Sequence, residues 1–200
     1  VSFAVWTTTP WTLLANVAVA LNPIFEYALV QTKSHGIVIA VEDRVSALAA
    51  MMSPEAPEDI RILLKKTGAE LEGITARHPF IARDSKVVTA DHVSREDGTG
   101  CVHTAPGHGI DDYRTGAQFK LPVLMPVDGK GRFNEEAGEF KGTHILKSND
   151  KIRELLSGQN NLLSWSEIKH SYPTCWRCKS SVITRATKQW FMGVDKFDLR

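Results

Sequence analysis

Two histidines, two aspartates and four glycines fall within sixteen positions of this sequence, Gly98-Thr-Gly-Cys-Val-His-Thr-Ala-Pro-Gly-His-Gly-Ile-Asp-Asp-Tyr113. Gly98, Gly100, Gly107 and Gly109 allow φ > 0 and a close approach of backbone to a ligand. His103, His108, Asp111 and Asp112 bring donors, acceptors and negative charge to the same place. Segments that only pack do not concentrate polar groups on so pliant a backbone. The stretch reads as the lining of a pocket for a small, partly cationic ligand. Aspartate would hold an ammonium, and histidine would hydrogen-bond or shape an apolar wall.

Each of these residues also has a plainer reading. Asp112 suits the first turn of a helix, where the dipole favours carboxylates, and His103 in an alternating strand suits a satisfied core position. The cluster His103, His108, Asp111 and Asp112 can also be read as a metal site. A catalytic zinc or dinuclear centre needs three or more ligands with supporting hydrogen bonds, and the spacing matches no hydrolase signature. A second candidate is Trp6-Thr7-Thr8-Thr9-Pro10-Trp11-Thr12. Threonines suit a strand end facing solvent. Just before a proline, however, they leave the ladder, so their hydroxyls and N–H groups become available to a ligand, with Trp11 as a wall. The third is Cys175-Trp-Arg-Cys178, one zinc knuckle without the two further ligands of a tetrahedral site. Cys101, in the expected strand beside His103, is a poor donor for it. Neither a phosphate-binding P-loop nor a dinucleotide fingerprint is present, so nothing in the chain is equipped to bind ATP.

The elements that must position these groups are mostly short and β-like. Runs 2–6, 17–21, 27–32 and 36–41 are rich in Val, Ala, Ile and aromatics and bounded by Pro, Asn and Gly. Residues 33–36 read as a hairpin loop. Asp43 is expected to cap a helix over 44–52 that Pro54 and Pro57 end. Strands are expected at 70–76, 86–90 and 99–104. Residues 110–119 have helical spacing, with Ile110, Tyr113, Ala117 and Phe119 inward and Asp111 and Asp112 in the first turn. Residues 121–142, rich in Pro and Gly, read as a surface loop, and a helix over 151–156 follows Asn149 as its cap. Many short strands with few helices predict a mainly β (α+β) fold, a β-barrel decorated by helices.

Composition bounds the function. Two hundred residues suit one large domain or one domain with a small appendage, and 42% hydrophobic residues are enough for a core. With 24 basic against 23 acidic residues the chain as a whole is no polyanion sponge. From Lys169 onward the balance turns basic: Lys169, Arg177, Lys179, Arg185, Lys188, Lys196 and Arg200 face Asp195 and Asp198, a surface suited to solvent or to a phosphate backbone. No apolar run approaches the ~20 residues of a membrane span. Three cysteines make no disulfide framework, which suits a reducing, cytoplasmic setting. The opening residues read as a strand entered mid-stream, as in a piece of something longer.

The segments from Trp6 to Asn16, Gly98 to Tyr113, Tyr172 to Cys178 and Arg185-Ala-Thr-Lys-Gln-Trp-Phe191 closely resemble the isoleucyl-tRNA synthetases, so the resemblance spans nearly the whole chain. The related valyl and leucyl enzymes carry Thr-Thr-Arg-Pro where this sequence has Thr7-Thr8-Thr9-Pro10. The synthetic-site signatures His-Ile-Gly-His and Lys-Met-Ser-Lys-Ser are absent. The resemblance therefore implies the editing β-barrel over residues 1–168. Residues 169–200 would be the return segment toward the nucleotide-binding domain, carrying the zinc half-site.

What that implies is hydrolysis of valyl-tRNA(Ile), and of valyl-adenylate as a second substrate, to valine by direct water attack. Asp112 matches the aspartate that holds the α-ammonium, and His103 the residue lining the side-chain pocket, with Trp11 beside it. Thr7, Thr8, Thr9 and Thr12 match the strand that positions ester, adenosine and water. Asn16 also matches, His108 belongs to the same motif, and Tyr172 would close the pocket. Editing needs no cofactor. Zinc at Cys175 and Cys178 would take its other ligands from outside these residues, and ATP and magnesium would serve the absent synthetic site. The expected partners are the tRNA(Ile) 3′ end carrying valine and the rest of the synthetase, without a membrane, in a monomer. Two other classes stay open: a metal-dependent hydrolase, and a tRNA-end binding module without catalysis.

Overall fold

In chain order the elements are β1 (Ser2–Phe3), β2 (Ala18–Leu21), β3 (Glu26–Gln31), β4 (Ile37–Val41), α1 (Val45–Met52), β5 (Arg61–Thr67), α2 (Gly68–Leu71), β6 (Thr75–Arg77), β7 (Asp84–Thr89), β8 (Cys101–Thr104), α3 (Ile110–Gln118) and α4 (Asn149–Gly158). The computed structural model describes residues 1–53, 55, 60–167 and 171–195. Pro54, Pro57, Lys169, Lys196, Asp198 and Arg200, and the boundary placed at 168/169, lie outside those residues.

The strands form two four-stranded sheets, ordered β1-β4-β3-β5 and β6-β7-β2-β8. Alternation decides how they stack. Val19 and Leu21 of β2, Val87 of β7 and Cys101 of β8 meet Tyr27, Ile39 and Val41 of the other sheet in one cluster. The opposite faces are covered too. Val38 and Ala40 pack under Val45 and Leu48 of α1, while Ala18 and Ala20 pack with Val88, Val93 and Leu121. Strand β2 is thus buried on both sides, and its sequence Ala-Val-Ala-Leu has no polar residue for that reason. Tyr27, fully buried, ties the sheets together: its hydroxyl accepts the Asn22 N–H and donates to the Gly100 carbonyl, each at 2.8 Å. Among the described residues the hydrogen-bonded ladder stays two open sheets and does not close into a ring. The fold is mixed sheets with helices.

Several expected elements shift. Of residues 70–76 only 75 and 76 are strand: a capping box between Thr67 and Glu70 starts the short helix α2 before β6 begins. Strand β5 went unforeseen because its residues are half-exposed or exposed throughout and show no alternation. The 121–142 loop contains the 3-10 turn Glu135–Phe140. Asp43 does not cap α1: it sits in the 3-10 turn Glu42–Arg44 and pairs with Arg95 at 3.3 Å. Asn149 opens α4 but does not cap it, since Ser148 occupies that place. Helix α3 lies where expected but is rotated. Ile110 and Tyr113 are exposed, as is Ala117, while Asp112, Thr115, Gly116 and Phe119 face inward at helical spacing.

Candidate active site

The threonine segment leaves β1 and enters the 3-10 turn Pro10–Ala15, with Pro10 at its start and every residue buried. Thr9 and Thr12 link back on this turn: the Thr12 hydroxyl donates to the Thr9 carbonyl at 2.7 Å, and the Thr9 N–H donates to Thr7 Oγ1 at 3.1 Å. Thr12 Oγ1 also lies 3.0 Å from His103 Nε2. Strands β2 and β8 enforce this meeting, since Val19 stands opposite His103 in their antiparallel register. His78 braces the same turn, its Nε2 on the Leu13 carbonyl at 2.8 Å. Arg83 donates to the carbonyls of Leu14 and Asn16.

Asp112 comes to the end of β8 from helix α3. Its Oδ2 accepts the Ala105 N–H at 2.8 Å, two residues past His103. A β-carbon on Gly109 would stand 2.9 Å from the Asp112 carboxyl carbon, so the glycine makes room for that carboxylate. One on Gly107 would stand 2.2 Å from the Leu124 carbonyl oxygen. These two glycines serve close approach within the protein, whereas Gly98 and Gly100 take φ of +68° and +72°.

Burial governs the electrostatics. It pulls the His103 imidazole down to about 4, with His78 and His108 adding to the effect, so the ring is neutral at pH 7. His108 moves the same way, chiefly by burial. Burial raises the Asp112 carboxyl, partly offset by the Ala105 N–H. Three buried polar atoms within six residues have no hydrogen-bond partner: His103 Nδ1, Thr104 Oγ1 and His108 Nε2. His103 and Thr104 are neighbours in a strand and point to opposite faces, so of these atoms only His103 Nδ1 belongs to a residue that borders the cleft.

His103, Thr7, Thr8 and Asn16 border a cleft of about 1520 Å³ that also meets Trp6, Arg77 and Trp165. Small-molecule pockets hold roughly 300–1,000 Å³, so this one has room for an amino acid together with a nucleotide. Thr9, Trp11, Thr12, His108, Asp111 and Asp112 are not among its lining residues. Asn16 spends its side chain inside the protein, on the Ala18 carbonyl and on Ser85. Trp11 is buried with Leu13, Val127 and Phe133 and meets His108 edge-to-face at 4.8 Å. His108 Nδ1 bonds the Thr184 carbonyl at 3.0 Å, and the Ala186 N–H donates to the Gly107 carbonyl at 2.8 Å. Arg185, read from sequence as part of a basic surface, instead chelates the Val127 carbonyl with two nitrogens. Asp111 pairs with Arg114 in solvent.

Tyr172 is half-buried and outside the cleft lining. Cys175 and Cys178 lie at the tip of a small hairpin, where Thr174 bridges Ser181 and Cys175 N–H donates to Ser180. The Cys178 thiol is drawn down to about 7 by its hydrogen bond with Ser180. Among the described residues no three His, Cys, Asp or Glu side chains converge to hold a metal ion, so the two thiols fit zinc only as half a site. Nor is any helix among them long and apolar enough to cross a membrane. His78, Arg83 and Ser85, which hold the 3-10 turn, carried no signal in the sequence beyond being single polar residues.

Residues 1–160 match the family model described as leucyl-tRNA synthetase, editing domain. An isoleucine–tRNA ligase of Kosmotoga olearia is 50% identical over 198 residues, 99% of this chain and 21% of that protein. One of Moorella thermoacetica is 46% identical over 98% of the chain, again 21% of the relative. The chain thus spans about a fifth of the length of the curated relatives it matches. Among solved structures, GlLeuRS-CP1 superposes with a TM-score of 0.63 at 15% identity, covering 84% of each chain. The editing domain of P. knowlesi cytosolic leucyl-tRNA synthetase gives 0.58 at 14% identity, covering 80% of this chain and 82% of that one. The chain therefore belongs to the aminoacyl-tRNA synthetase editing-domain family, and the relatives that share its sequence over almost its full length are isoleucine–tRNA ligases.

Proposed function

We propose that this domain hydrolyses the ester of valyl-tRNA(Ile), with valyl-adenylate as a second substrate, as the proofreading part of an isoleucine–tRNA ligase. The need is physical. One methylene in an apolar pocket is worth only ~1–3 kcal/mol, a limit for which isoleucine against valine is the standard illustration. A second, smaller pocket that excludes the larger side chain multiplies the selectivity. The observation that carries the reading is the 3.0 Å contact between Thr12 and His103 at the edge of the cleft, which unites two segments 91 positions apart.

An aminoacyl ester is already activated, so its hydrolysis asks mainly for positioning and for support of the developing oxyanion. In this reading Asp112 holds the α-ammonium. His103, neutral, stands against the side chain and limits its size, and the hydroxyls of Thr7 and Thr8 orient ester, adenosine and water. Water attacks directly, with no acyl-enzyme. Zinc at Cys175 and Cys178 takes its remaining ligands from elsewhere in the ligase and plays no part in this step. The tRNA 3′ end and the rest of the ligase are the partners, and the domain acts as a monomer.

The test is to incubate the chain with valyl- and isoleucyl-tRNA(Ile) and measure amino-acid release. Valine release with isoleucine retained is expected, and His103→Ala should release isoleucine as well. Binding of both esters without release would favour a tRNA-end binding module, and loss of activity to chelators would favour a metal hydrolase.

A further inference from the structure

The hydroxyl of Thr12 has one proton, and its place is fixed. Thr12 Oγ1 stands 2.7 Å from the Thr9 carbonyl oxygen, a group that only accepts. Without a hydrogen between them, two oxygens at that distance repel. The proton of Thr12 therefore points at Thr9, and the hydroxyl faces His103 Nε2, 3.0 Å away, with a lone pair. The remaining contact of Thr12, with Thr9 Oγ1, is long at 3.5 Å and does not compete.

We infer that Thr12 locks His103 in the tautomer protonated at Nε2, so that the buried Nδ1 carries a bare lone pair that only a hydrogen-bond donor, of the substrate or of a water, can satisfy. Two further observations agree. Nδ1 is buried without a partner, in a residue 8% exposed that borders the cleft. Burial also keeps the ring from taking a second proton near neutral pH. Thr12 is thus a positioning residue that acts through His103. An ester carbonyl, which only accepts, is excluded from Nδ1, while an ammonium, a ribose hydroxyl or water is admitted. The identity of the ligand rests on the hydrolytic reading; the tautomer does not.

The experiment is ¹⁵N-edited NMR of the imidazoles in the folded chain at pH 7, with His103 assigned through His103→Gln. A protonated Nε2 and an unprotonated Nδ1 are expected. Thr12→Ser keeps the pattern, and Thr12→Val loses it, giving a mixture of tautomers or the Nδ1–H form. Should Thr12→Val fail to fold, the unaltered chain and Thr12→Ser still decide the matter. Nδ1–H in the unaltered chain, or an unchanged tautomer in folded Thr12→Val, overturns the inference. Adding valine methyl ester and adenosine separately then identifies the donor. A shift of Nδ1 with the first only assigns the ammonium, and with the second only a ribose hydroxyl. Proton transfer onto Nδ1 as a stable state with either probe overturns the inference. Because no tRNA is involved, a chain that fails to release valine can still pass this test, and one that edits can still fail it.

Discussion

Replacing Asp112 by asparagine separates two tasks of one side chain. Its Oδ2 accepts the Ala105 N–H at 2.8 Å, and an asparagine carbonyl accepts it equally, so the turn from β8 into α3 keeps its bond. What disappears is the charge. At ~4 Å and an effective dielectric of ~20 an ion pair gains about 4 kcal/mol. Burial already holds this carboxyl above its ordinary range, which offsets part of that gain. A loss of about 2–3 kcal/mol in kcat/KM is expected, roughly 30- to 150-fold. The same burial makes the ionised carboxylate a burden on the fold, so the neutral amide leaves stability at pH 7 equal or slightly higher. Asp112→Ala differs: it abandons a buried N–H, which costs about 1–3 kcal/mol. Single-turnover hydrolysis of valyl-tRNA(Ile) and urea unfolding, run on both variants, separate the two tasks. Full activity in Asp112→Asn would refute the ammonium anchor. Equal destabilisation in both variants would refute the hydrogen-bond account.

Stability should also fall with acid. His78 and His103 are both brought down by burial from 6.5 to about 4, so the unfolded chain takes up protons that the folded one refuses. The contribution is complete above pH 6.5 and is lost as pH drops toward 4, about 3 kcal/mol for each histidine at ~1.36 kcal/mol per pKa unit. Urea unfolding from pH 7 to 4.5 measures it, and a flat profile would contradict neutral, buried rings. Gly107→Ala drives a methyl against the Leu124 carbonyl, so a loss of about 1–3 kcal/mol is expected. An unchanged melting temperature would mean that the turn yields freely.

Much of the frame was readable because it is apolar and short. Strands β2, β3, β4, β7 and β8 fall within two residues of the runs of Val, Ala and Ile that predict them, since burial on one or both faces demands those residues. The pairing was not readable. Strand β2 joins β7 in parallel and β8 antiparallel, and nothing local encodes either choice. Helix α3 shows how composition misleads: Ile110 and Tyr113 invite an inward reading, but the carboxylate of Asp112 has a backbone N–H waiting inside, and the helix turns to meet it. The roles of Trp11 and Asn16 likewise depend on neighbours far along the chain. Trp11 packs beneath the turn against His108, and Asn16 satisfies Ser85 and Ala18.

The contact between positions 12 and 103 has a consequence for how competence arises during folding. That contact joins the first twenty residues to a strand beyond the hundredth, and it forms only when β8 docks along β2. Closing so long a loop is entropically unfavourable and is repaid only on completion. A nascent or trimmed chain lacking either end would keep other parts of the cleft lining but not this contact.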